Sequence, residues 1–165
     1  MSREIDRGDQ EARAQALDLQ RSFIVRAPAG SGKTELLTQR YLALLARVAW
    51  PEEVIAITFT RKAAAEMRSR VLRALASARA GTAGASELDR TTIELARAVL
   101  AADAAREWGL ADNPARLRVQ TIDALCGWIA RQMPPWMPAA ERYLWCALWP
   151  LVFAVTWLLA NMEEE

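Results

Sequence analysis

Apolar positions along the chain alternate between helical spacing and short continuous runs. Residues 9–20, DQEARAQALDLQ, join good helix formers to a brief amphipathic pattern. Residues 22–27, SFIVRA, form a compact apolar run of the kind expected for a buried strand. The period returns to 3.6 over residues 33–47, where Leu36, Leu37, Tyr41, Leu44 and Leu45 share a predicted helix face. Pro51 breaks the chain, and VIAITFT (54–60), β-branched and aromatic, predicts a second buried strand. Residues 61–80 predict a long amphipathic helix with Met67, Val71, Leu72 and Leu75 inward. After the flexible connector GTAGAS (81–86), residues 89–108 predict a helix ended by Gly109. DNPAR (112–116) is a turn, and LRVQTI (117–122) alternates as a third strand. Asp123 is expected to cap a last helix running to about Arg131. Strands separated by helices in this order predict an α/β fold with a parallel sheet.

Composition narrows the chemistry. With 165 residues and 53% hydrophobic content the chain is large enough for a packed core. There is no histidine, which removes histidine acid–base catalysis, Ser-His-Asp triads and histidine metal sites. Cys126 and Cys146 lie far apart, without zinc spacing, and suit a reducing, cytoplasmic setting. The charged start, MSREIDRGDQ, lacks the apolar stretch of a signal peptide. The net charge of +1 gives no global basic field. All but Lys33 and Lys62 of the 21 cationic residues are arginine, and both lysines fall in the motifs below.

The stretch APAGSGKT, residues 27–34, is built to hold phosphate. Gly30 and Gly32 allow a tight turn that brings backbone N–H groups to an anion, and the following helix adds its positive end. Lys33 has the reach for β- and γ-phosphates, and the Thr34 hydroxyl suits Mg²⁺. The G-x-x-x-x-G-K-[ST] pattern is met except at its first position, Ala27. The expected nucleotide cradle is therefore Ala27, Pro28, Ala29, Gly30, Ser31, Gly32, Lys33 and Thr34, with ATP and Mg²⁺ as cofactors.

Three stretches in order resemble one family. APAGSGKTELLTQRYLALL, then VIAITFTRKAAAEMRSRV, then VQTIDALC (119–126) look like successive motifs of the UvrD/RecB-like superfamily 1 DNA helicases. The resemblance covers roughly residues 9–133. It implies the N-terminal part of a P-loop NTPase (RecA-like) domain, with an incomplete parallel sheet. It further implies 3′–5′ DNA helicase or helicase–nuclease activity in DNA repair, and contact with single-stranded DNA through Phe59, Thr60, Arg61, Lys62 and Thr121. The placement agrees with physical expectation: these residues fall at strand ends, where open α/β sheets bind ligands, and an aromatic ring beside hydroxyls and cations suits an unpaired strand. On the residues alone, the competing reading puts Phe59 in the core and makes Arg61 and Lys62 the start of a solvated helix.

The sequence departs from the family pattern at three points. Asp123 stands where the family has histidine, Glu35 follows the loop threonine where a cation is common, and the adenine-reading glutamine is displaced. Gln10 is the nearest candidate for that glutamine; Gln15 lies too close to Lys33. No apolar strand ending in Asp-Glu, the expected Mg²⁺- and water-positioning pair, occurs in the chain. Binding of ATP without meaningful hydrolysis is the expectation.

The composition changes near Met133. Residues 143–160 carry no charge, and 143–162 are long enough to cross a bilayer, with Arg131 and Arg142 before them and Glu163–Glu165 after. For the tail 134–165 three readings stand: a membrane anchor, a hydrophobic helix packed on the domain, or an aberrant C-terminus. A membrane-tethered, non-catalytic nucleotide-binding or interaction module is accordingly the alternative to a helicase fragment.

Overall fold

The computed structural model describes residues 11–132 apart from 27, 29, 83 and 85. The tail 134–165 and Gln10 lie outside the described residues. The chain divides into two compact units, residues 1–119 and 120–165.

In the first unit the described residues begin with helix α1 (residues 11–16). Helices α2 (Lys33–Leu45), α3 (Arg61–Arg79) and α4 (Glu87–Arg106) make the body of this unit, with strand β1 (Ile55–Thr58) and the start of β2 (Arg118–Thr121). β1 and β2 pair in parallel, with α3 and α4 in the crossover that a parallel pair requires. The arrangement is thus mixed α/β.

The core forms where the helical stripes meet. Leu42 and Leu45 of α2, Val71 and Leu75 of α3, and Ala96 and Val99 of α4 are buried together with Leu117 and Val119. Each large aliphatic side chain removed from water there contributes about 1.5–3 kcal/mol. The inward face expected for α3 is observed: Met67, Val71 and Leu75 are buried, and Leu72 packs against them in part. On α2 the face is rotated from expectation. Leu37 is 50% exposed, whereas Leu42 is fully buried, because α2 packs on α4 through a stripe that includes Thr38 and Gln39.

Two helix boundaries follow local chemistry. Ser86 and Asp89 form a reciprocal capping box: the Ser86 hydroxyl accepts from the Asp89 N–H at 3.1 Å, and the Asp89 carboxylate accepts from the Ser86 N–H at 3.1 Å. At the other end of α4 the left-handed turn falls on Glu107 (φ 54°), ahead of Gly109, so the helix stops earlier than predicted. The Trp108 indole N–H then donates to the Ala49 carbonyl at 3.0 Å and ties this end to the segment before β1.

Two strand expectations are corrected. Residues 22–26 join neither β1 nor β2 and have no regular structure; Ile24 is 88% exposed. β-propensity alone leaves the backbone without a ladder, and a strand needs a neighbour to supply one. β1 does form, but only one face is covered. Val54 and Ala56 turn to the core, while Ile55 and Ile57 are exposed.

The second unit contributes the end of β2 and helix α5 (Ile122–Gln132) to the described residues. Its first turn is capped by Thr121, whose hydroxyl accepts from the Ala124 N–H at 3.2 Å. Asp123, expected as the cap, lies inside the first turn. Among the described residues no helix is long and apolar enough to cross a membrane.

Candidate functional site

The extended segment 22–26 leads into the phosphate-type loop, and α2 leaves it. Gly30 and Gly32 take the left-handed conformation (φ 81° and 79°), which side chains rarely adopt and which the turn requires. The Ser31 N–H donates to the Pro28 carbonyl at 3.3 Å, closing the turn. Gly32 caps α2 through its carbonyl, which accepts from the Leu36 N–H at 3.1 Å. The first amides of α2 therefore lie beside the loop, with the helix dipole behind them.

Lys33 opens α2, and its Nζ donates to the Pro28 carbonyl at 2.5 Å. The side chain thus arches back over the loop that it follows. Thr34 is exposed, with its backbone carbonyl engaged by the Thr38 hydroxyl at 2.8 Å. A cleft of about 290 Å³ adjoins the loop, lined among others by Arg13, Gln15, Phe23, Ser31 and Lys33. Left-handed glycines, a helix start, a lysine on the loop and an exposed threonine hydroxyl together fit a magnesium-bound polyphosphate. Lys33 would hold the phosphates and Thr34 the ion. Among the described residues no group of three His, Cys, Asp or Glu side chains is gathered to hold a metal ion. Ala27 and Ala29 fall outside the described residues, and so does Gln10; Gln15 is the glutamine that lines the cleft.

Arginines missed by sequence reasoning hold this region together. Arg40 of α2 donates to the carbonyls of Ala16, Asp18 (3.1 Å) and Arg21 (2.7 Å), fastening the end of α1 to α2. The guanidinium groups of Arg40 and Arg21 lie 5.3 and 5.5 Å from the centre of the Phe23 ring. Glu35, at the position where a cation was expected, accepts from the Thr92 hydroxyl at 2.7 Å and lies 3.7 Å from Arg70.

A second locus stands at the end of β1. Phe59 is 90% exposed, which overturns the reading that places it in the core. Thr60 caps α3, its hydroxyl accepting from the Ala63 N–H at 3.1 Å, and the Thr58 hydroxyl donates to the Thr60 carbonyl at 3.0 Å. Arg61 and Lys62 are exposed in the first turn of α3, which holds no acidic residue. Two cations on the positive end of a helix dipole oppose the helix's own electrostatics and concentrate positive potential there. Thr121, in the second unit, is buried and acts as the α5 cap described above.

Over 81 residues the chain is 40% identical to an ATP-dependent helicase/nuclease subunit of Desulfitobacterium hafniense, covering 47% of this chain and 6% of the relative. It is 53% identical over 51 residues to the ATP-dependent DNA helicase UvrD1 of Mycobacterium tuberculosis, covering 30% of this chain and 7% of the relative. It is 40% identical over 62 residues to DNA helicase II of Rickettsia typhi, covering 37% of this chain and 9% of the relative. The matched stretches therefore cover less than a tenth of the length of these relatives. No solved structure matches. The family model for the UvrD/REP helicase N-terminal domain matches residues 8–146, and with the loop and strand-end motifs in their order the chain belongs to that family.

Proposed function

We propose that this chain is the ATP-binding part of an ATP-dependent 3′–5′ DNA helicase or helicase–nuclease subunit of DNA repair and recombination. The observation that carries the proposal is the loop at Gly30–Thr34, with both glycines left-handed, a helix opening directly from it and Lys33 folded over it. Mg-ATP binds there through the loop amides, Lys33 and Thr34. The exposed ring of Phe59, with Thr60, Arg61 and Lys62 at the start of α3, supplies stacking and phosphate contacts for single-stranded DNA. Thr121 is included among these contacts on the family resemblance. The reading for this chain is nucleotide binding without motor-rate turnover. A nuclease or helicase subunit is the partner class that the relatives' names suggest.

Isothermal titration with Mg-ATP tests this reading. Saturable binding is expected, weakened roughly 10-fold or more in Lys33→Ala, since a hydrogen bond from a charged group contributes about 1.5–3 kcal/mol. A folded protein that binds no nucleotide overturns the assignment. Hydrolysis at many turnovers per second, lost in Lys33→Ala, overturns the claim that turnover is absent.

A further inference from the structure

The Ser31–Gly32 peptide is gripped from outside the loop. Arg13 of α1 donates from Nη2 to the Ser31 carbonyl oxygen at 2.5 Å. Its guanidinium also lies 3.1–3.7 Å from where a β-carbon on Gly32 would sit, so it covers that glycine closely. The left-handed backbone calls for glycine at 32, and a side chain there would also press on the Arg13 guanidinium.

The peptide between Ser31 and Gly32 is trans, so the Gly32 N–H points away from the carbonyl that Arg13 holds. A cation on the carbonyl fixes the peptide plane and polarises it, which makes the opposite N–H a stronger donor. α1 is itself anchored, because Arg40 of α2 binds three carbonyls at and beyond its end. The loop is thus bracketed by α2, which leaves it, and by α1, which reaches it through Arg13.

We propose that Arg13 is a positioning residue for the phosphate cradle: it orients the Ser31–Gly32 peptide so that the Gly32 N–H is presented to phosphate. The proposal rests on the nucleotide-binding reading above and adds a residue to it. Arg13 acts on the cradle through the Ser31 carbonyl, on the side of the peptide opposite the Gly32 N–H.

The test uses the full chain labelled with ¹⁵N-glycine, with R13M and R13K variants. In the ligand-free protein R13M is expected to move the Gly32 amide resonance and leave those of Gly81 and Gly109 in place. Mg-ATP affinity falls about 10-fold in R13M, as expected for loss of one charge-assisted support. R13K, which keeps the charge but loses the fork, recovers about a third of that loss or more. If R13M does not fold, R13K carries the same readout, with an intermediate amide shift and about 3-fold weaker binding. An unmoved Gly32 amide with unchanged ATP affinity overturns the proposal. Should the wild-type chain bind no ATP, the nucleotide reading fails, while the ligand-free amide shift still decides the role of Arg13.

Discussion

Gln39 of α2 and Thr92 of α4 meet inside the interface between those helices, the Gln39 amide donating to the Thr92 hydroxyl at 3.0 Å. The same amide donates to the Leu88 carbonyl at 3.2 Å. The Thr92 hydroxyl has a single proton, shared between the Leu88 carbonyl at 2.8 Å and the Glu35 carboxylate at 2.7 Å. A polar thread therefore runs from the first turn of α2, two residues past Lys33, to the core-facing side of α4. Thr92→Val keeps the shape and removes the hydroxyl. It is expected to destabilise the fold by about 1–3 kcal/mol, because buried partners lose their bonds. Urea unfolding measures this, and an unchanged midpoint would show that water replaces the hydroxyl.

The rotation of α2 about its axis separates two leucines that the sequence pattern treats alike. Leu42→Ala opens a cavity at a fully buried site and is expected to cost about 2–5 kcal/mol. Leu37→Ala, at a half-exposed site, is expected to stay within about 0.5 kcal/mol. Denaturant unfolding of the two variants checks the orientation of the helix; equal losses would contradict it.

Phe59→Ala tests the strand-end locus. The side chain is exposed, so stability should hold, while affinity for single-stranded oligothymidine at low salt falls roughly 5–150-fold, the equivalent of one lost base stack at about 1–3 kcal/mol. Fluorescence anisotropy with a labelled oligonucleotide reads the change. Wild-type affinity in the variant would remove Phe59 from the DNA surface.

Burial of Tyr41 makes the fold sensitive to alkaline pH. Burial pushes its phenol up to about 12; nearby Arg68, and the Arg118 N–H after it, pull in the opposite direction. Among the described residues nothing else offers this hydroxyl a hydrogen bond. A folded-state value above the unfolded one means that the neutral form is favoured in the fold. That stability is complete below about pH 10 and is lost between about pH 10 and 12, at no more than about 1.4 kcal/mol per pH unit. Tyr41→Phe should flatten this loss while leaving neutral-pH stability equal or slightly higher. Unfolding midpoints from pH 8 to 12 compare the two proteins; parallel curves would mean that Tyr41 is accessible to hydroxide in the folded state.

Much of the site was legible because its chemistry is local. The left-handed glycines, the lysine at the opening of α2 and the threonine after it are four neighbouring residues whose conformation is imposed by backbone sterics and helix geometry. The long helices were legible for the same reason, since a 3.6-residue period is a property of each segment alone. Residues 22–26 show the limit: their composition suits a strand, but pairing needs a second strand, which the segment cannot specify. Arg13 and Arg40 were illegible because a surface arginine at helical spacing looks the same whether it meets water or a distant carbonyl.

From the sequence by itself came the order of the long helices and of the two strands that pair, the phosphate loop and the family resemblance, because motif spacing and hydrophobic period survive without a partner. Only the tertiary structure decided that Phe59 faces solvent, that Leu42 and not Leu37 enters the core, and that Thr121 and not Asp123 caps α5. Exposure and capping depend on which surfaces close over a residue and which hydroxyl reaches an unpaired amide, and those are settled when the elements pack.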